Sequence, residues 1–259
     1  MSIPDCFILI FGLCIGSFLN VCIHRLPREN LSIGYPKRSI CPSCETQLRF
    51  WENIPLLSFI LLRGKCRSCK AEISIRYPLI ELISALFAFA VTLKFGLTLT
   101  GLIYFVLLMS LVVVTFIDLD FQIIPNIISL SGIVIGFTAS FYLPGITVQD
   151  SILGILIGGG MFFLIAYIFV KVRGIEGMGM GDVKLLAMLG AFLGLKGVLF
   201  IIFISSIIGT VTGLLVMVQT RSFTFKQRIP FGPFLSIAAM IYVFWGDVLI
   251  YEYIMWLRG

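Results

Sequence analysis

Apolar runs of about 18 to 25 residues recur along nearly the whole chain, and each is long enough to cross a hydrocarbon core of roughly 30 Å as a helix. Such runs expose no polar side chains to water, so the bilayer is the solvent that the sequence is written for. A soluble globular domain is excluded, because 59% of residues are hydrophobic and only 12% are charged, against about 45–50% apolar and 25% charged in ordinary soluble domains. The pattern predicts an all-α polytopic membrane protein with about eight helices. The first apolar run, from Cys6 to Ile23, has no basic segment in front and no small-residue cleavage site behind it, so it reads as a retained anchor. Seven more fall near 78–94, 97–117, 126–143, 151–170, 183–194, 197–219 and 233–257, separated by Pro125, Pro144, Gly174 to Gly181 and Pro230 to Pro233. No internal repeat and no low-complexity linker interrupts them.

The sixth run, 183–194, is only about 18 Å long as a helix and on length alone suits a re-entrant half-hairpin as well as a span. Charge placement favours the span. With eight alternating helices, sixteen of the nineteen Lys/Arg fall on one side, ten of them within 24–77, leaving Lys94, Lys196 and Arg258 on the other. Basic residues concentrate in the cytoplasm, so both termini are expected outside and 24–77 inside. The chain is thus divided into a first helix (1–23), a polar segment (24–77) and a membrane domain of seven helices (78–259).

The polar segment holds Cys41-Pro-Ser-Cys44 and Cys66-Arg-Ser-Cys69, two C-x2-C pairs with 21 residues between them. Each pair can aim two thiolates at one metal, and four close the tetrahedral shell of a structural Zn2+. Disulfides are the competing reading, but the expected cytoplasmic placement is reducing. Arg63, Lys65, Arg67 and Lys70 stand around the second pair, where they offset the charge of about −2 on a four-thiolate zinc site. A zinc ribbon with excess positive charge also raises nucleic acid as a partner. The segment's four acids leave it at +6, equal to the net charge of the whole chain, and membrane topology with anionic lipid headgroups accounts for that excess without nucleic acid. Cys6, Cys14 and Cys22 have no metal-ligand spacing and read as packing residues, and His24, the one histidine, reads as an interfacial side chain.

Carboxylates at membrane helix ends are costly unless paired or hydrated, which makes each a functional candidate. Asp118 and Asp120 close the third apolar run ahead of Pro125, and Asp182 follows Gly177, Gly179 and Gly181 and precedes Lys184. The expected topology puts Asp118 and Asp182 on one face although 64 positions separate them. Two carboxylates drawn together share one proton, which is what aspartic proteolysis requires: one takes a proton from water, the other protonates the leaving amine. The glycines leave room for an extended substrate backbone. The same residues also suit plain interfacial acids, or a proton-coupled transporter with an aspartate as carrier.

The element Gly179-Met-Gly181-Asp182 resembles that of the GxGD aspartic intramembrane proteases. A fuller ordered series, Gly16-Ser-Phe-Leu-Asn20-Val with Arg25-Leu-Pro27, the two cysteine pairs, Glu52-Asn-Ile-Pro55-Leu-Leu-Ser with Leu62-Arg63-Gly64, Asp118 with Pro125-Asn126, and Gly177 to Lys184, resembles the bacterial type IV prepilin peptidases, or prepilin leader peptidase/N-methyltransferases. The resemblance implies an inner-membrane enzyme with two activities. One removes the basic leader from prepilins and pseudopilins ahead of their apolar helix, using aspartates at the positions of Asp118 and Asp182, supported by Gly179, Gly181, Lys184 and Pro125. The other methylates the new amino terminus with S-adenosylmethionine and depends on the 24–77 segment, where Gly64 matches a glycine tied to methyl transfer. Asp120 holds a companion position. Asn126 departs from the aspartate that many relatives carry, which leaves the peptidase expectation intact. No Rossmann-type fingerprint is visible, so the resemblance assigns no cofactor contacts.

Overall fold

The computed structural model describes residues 3–28, 31–35, 38–173, 179–220 and 230–258. Nine α-helices account for most of them: α1 (Ile3–Arg25), α2 (Leu57–Leu61), α3 (Arg76–Phe95), α4 (Leu99–Phe121), α5 (Asn126–Ala139), α6 (Val148–Ile155), α7 (Phe162–Arg173), α8 (Met180–Thr220) and α9 (Gly232–Arg258). Six helical runs among the described residues are long and apolar enough to cross a membrane, and α5 is a shorter apolar helix. The run 148–172 counts as one of these because α6 passes into α7 through a π-helical turn, Leu156–Met161, that contains three consecutive glycines.

The remaining two expected helices are the arms of α8. Gly194 interrupts its 41 residues at φ 67° and ψ −175°, a region open essentially to glycine alone. It separates 180–193 from 195–220, matching the two runs read from the sequence. The first arm is about 21 Å long, so it is a short segment, as expected. Where the sequence extended the fourth helix to 143, the structure ends it at Ala139, with the last carbonyls taken up by the Ser140, Tyr142 and Leu143 amides in tight turns.

The chain forms two compact units, Met1–Val113 and Val114–Gly259. In the first, α1 and α3 lie against each other along Gly12 and Gly16. A Cβ at Gly12 would sit 2.6 Å from Ala85 Cα, and one at Gly16 would sit 2.5 Å from Glu81 Cα. This is the small-residue spacing by which helices approach closely in lipid, where packing rather than the hydrophobic effect holds them together. Asn20 Nδ2 adds a hydrogen bond to the Tyr77 carbonyl at 3.1 Å.

The second unit repeats the device. Gly132 and Gly136 of α5 receive Met188 and Phe192 of α8, and Gly154 and Gly158 receive the backbone of Gly190 and Leu186. Ser151 Oγ, buried in the same crossing, donates to the Ala191 carbonyl at 2.8 Å. These contacts bury Leu185, Leu186, Leu189 and Ala191 completely and fix the first arm of α8 between α5 and α6.

Candidate active site and metal centre

Asp118 sits one turn from the end of α4 and is 5% exposed. Its Oδ2 accepts a hydrogen bond from the Gly232 amide at 3.0 Å, the first residue of α9. Helix amino ends carry unpaired N–H donors and a partial positive charge, so α9 offers Asp118 a fixed donor that stabilises negative charge on that oxygen. Only glycine suits this position, since a Cβ on Gly232 would lie 2.7 Å from Oδ2. Asp120, two residues on, is turned to the opposite side of α4 and is exposed.

Asp182 lies in the first turn of α8, where its amide donates to the Gly179 carbonyl at 3.1 Å. Its carboxyl is close enough to Asp118 for the two charges to act on each other. Gly179 stands beside the carboxyl, where a Cβ would make an ordinary contact with Oδ2 at 3.4 Å. Gly181 has a different use: a Cβ there would meet Ile124 Cβ at 3.1 Å. The missing side chain therefore lets the turn after α4, which follows Asp118 in the chain, settle onto the start of α8. Pro125 precedes the first residue of α5 and ends the turn in extended conformation at ψ 127°. Lys184 Nζ donates to Asn126 Oδ1 at 2.9 Å, tying the starts of α8 and α5 together. Gly177 lies outside the described residues.

Sequence reading placed Asp118, Asp182, Gly179, Gly181, Lys184 and Pro125 in the site, and the structure brings all six into one neighbourhood of the second unit. It missed Gly232 and Ile124. The signal for Gly232 was present: a glycine between Pro230 and Pro233 at a helix start marks a place where backbone, not side chain, is presented.

In the first unit, the sulfur atoms of Cys41, Cys44, Cys66 and Cys69 all lie within 4.8 Å of one another, with Cys41 and Cys69 at 3.9 Å. Zn–S bonds of about 2.3 Å in a tetrahedron place sulfurs roughly 3.8 Å apart, so the four residues fit the metal. The two knuckles are built alike. The Cys41 amide donates to the Thr46 carbonyl and the Cys66 amide to that of Ala71, while Glu45 and Lys70 return amides to Cys41 and Cys66. Glu45 and Lys70 take left-handed φ values of 55° and 62°, and matching bridges, Ile40 to Gln47 and Lys65 to Glu72, flank each pair. The thiols are shifted in both directions: the Thr46 hydroxyl and amide hold the Cys44 thiol down to about 6, and the amides of Cys69 and Ser68 lower Cys66, whereas, against the pull of the Ala71 amide, burial and the other three sulfurs push Cys69 up to about 11. Glu52 ties the second knuckle to the short 3-10 turn Phe50–Asn53, pairing with Arg67 at 3.0 Å and accepting from the Arg49 amide at 2.7 Å. Gly64, at φ 66°, closes α2 by donating to the Phe59 carbonyl at 2.9 Å.

Residues 10–95 match the Bacterial Peptidase A24 N-terminal domain and residues 105–214 the Type IV leader peptidase family. Curated relatives named prepilin leader peptidase/N-methyltransferase are similar over nearly their whole length. That of Pseudomonas aeruginosa is 38% identical over 277 aligned positions, covering 98% of this chain and 95% of the relative. Those of Stutzerimonas stutzeri and Aeromonas hydrophila are each 37% identical, covering 96% and 93% of this chain and 93% and 90% of theirs. No solved structure matches the chain.

Proposed function

The chain belongs to the type IV leader peptidase family, and on that premise we propose which of its residues carry the work. It is a multi-pass membrane enzyme with two activities, cleavage of the leader from prepilins and N-methylation. The transporter reading finds no support in the relatives.

Asp118 and Asp182 form the peptidase pair. The single observation that carries this is their convergence: residues 64 apart in sequence meet in one unit, with a backbone donor aimed at one of them. The Gly232 amide favours the ionised form of Asp118, so Asp118 takes the proton from the attacking water, and Asp182 holds the proton that supports the developing oxyanion and then goes to the leaving amine. Gly179 keeps the approach to Asp182 free of a side chain, which lets an extended backbone lie against it, and Gly181 seats the start of α8 on Ile124. Lys184 and Pro125 hold the turn in place through Asn126.

The membrane is the bacterial inner membrane, with both termini periplasmic and the basic loops cytoplasmic, a reading that the Lys/Arg distribution supports. A precursor with a basic leader and an apolar helix orients by the same rule, which brings its scissile bond to the interface where the aspartates end their helices. Such clients are type IV pilins and the pseudopilins of type II secretion. Zn2+ is structural here, since four thiolates leave no open coordination position. S-adenosylmethionine supplies an electrophilic methyl group for the second reaction.

The purified protein in liposomes, given a synthetic prepilin segment and S-adenosylmethionine, is expected to release the leader and leave a product one methyl group heavier than the cleaved peptide. An uncut substrate overturns the reading.

A further inference from the structure

A cavity of about 410 Å3 lies in the first unit, walled by α1 and α3 on one side and by the four-cysteine segment on the other. Its size falls within the range of about 300 to 1,000 Å3 typical of small-molecule sites. Along α1 it reaches from Ser17 to Arg25, about 12 Å of helix rise, so it suits an extended ligand. The peptidase reaction does not use it, and the zinc site borders it only along Cys41 and Cys66.

The walls carry two buried charges of opposite sign. Glu81, 8% exposed on α3, accepts a hydrogen bond from the Leu56 amide at 2.8 Å. Arg25, 7% exposed at the end of α1, donates to the carbonyls of Ser32 and Ile33, at 3.2 and 2.9 Å. Among the described residues neither has an ion-pair partner. A buried charge without a counterion is costly, so a fixed anion and a fixed cation on one cavity wall call for a ligand that bears both signs. Phe59 adds an aromatic face. Gly64 keeps that ring where it is, because a Cβ at Gly64 would come within 3.2 Å of Phe59 Cζ.

We propose that this cavity binds S-adenosylmethionine, with Arg25 holding its carboxylate, Glu81 facing its sulfonium and Phe59 lying against its base. The proposal rests on the N-methyltransferase reading above and assigns that activity its donor site. In the transfer, the neutral pilin amine, having shed its proton to water, forms a nitrogen–carbon bond as the carbon–sulfur bond breaks. The electron pair stays on sulfur, leaving S-adenosylhomocysteine, which has lost the positive charge that Glu81 faces. The site therefore prefers donor to product.

Equilibrium dialysis of the full-length, zinc-loaded protein in detergent tests this with S-adenosylmethionine and S-adenosylhomocysteine as probes. The unaltered protein should bind the donor more tightly. Glu81→Gln removes a charge–charge attraction and should weaken donor binding by about tenfold or more and erase the preference over product, and Val21→Trp, which fills the cavity, should weaken both ligands; leader cleavage should persist in each. Ultraviolet crosslinking of radiolabelled donor to the unaltered protein should mark peptides within 17–31 or 58–81. Label confined to other peptides overturns the proposal, as does wild-type donor affinity in both variants. If the unaltered protein methylates pilin while those results appear, this inference alone falls. If it neither binds the donor nor methylates, the methyltransferase reading falls with it.

Discussion

Gly232 shows how much of the proposed peptidase site rests on one missing atom. Gly232→Ala puts a Cβ against Asp118 Oδ2 and pushes the carboxyl off its amide donor. A hydrogen bond to a charged group is worth about 1.5–3 kcal/mol, so leader cleavage is expected to fall roughly 10- to 100-fold in initial-rate assays, with the protein still accumulating in the membrane. The pair also predicts a bell-shaped dependence of cleavage rate on pH. At low pH both carboxyls are protonated and the base is lost; at high pH both are ionised and the acid is lost. A rate that rises monotonically to alkaline pH would contradict the assignment. Asp118 and Asp182 were legible in the sequence because acids are rare in so apolar a chain and each stood beside backbone-permissive residues. Gly232 and Ile124 were not, because their importance lies in what approaches them from distant segments, and one-dimensional spacing does not record that.

Helices were the most legible elements. A 20-residue apolar run has few alternatives to a spanning helix, since lipid offers backbone groups no partners, and the expected boundaries mostly fall within a turn of those observed. What the sequence did not announce was how the helices meet. Gly12 with Gly16, Gly132 with Gly136, and Gly154 with Gly158 are all spaced by four and all sit where another element packs into the space, with its backbone at Gly12, Gly16, Gly154 and Gly158 and with side chains at Gly132 and Gly136. Hydropathy averages treat such glycines as merely neutral, so the packing faces were invisible to it. At the closest of these crossings, Gly154→Leu forces α6 away from Gly190. Overpacking commonly costs about 1–3 kcal/mol, and here backbone must move, so thermal melting in detergent is expected to drop clearly, with cleavage lost in parallel. Gly160→Leu is the control, since a Cβ at Gly160 meets nothing within 4 Å.

Across the whole molecule, one compact unit holds the four-cysteine segment and the other holds Asp118 and Asp182. The cysteine spacing alone pointed to the cluster of four sulfurs; the likeness of the two knuckles, down to the left-handed residues Glu45 and Lys70, needed the folded chain. Because their amide hydrogen bonds close around the cysteines, chelation of zinc is expected to speed hydrogen exchange at Cys41, Glu45, Cys66 and Lys70, while amides in the middle of α8 keep their protection. The most direct test of the account is the rate of leader cleavage by Asp118→Asn and Asp182→Asn in reconstituted membranes, measured with thermal stability and zinc content alongside. Each variant is predicted to lose at least about a hundredfold in rate with stability and zinc unchanged. Cleavage near the unaltered rate by either one would contradict it.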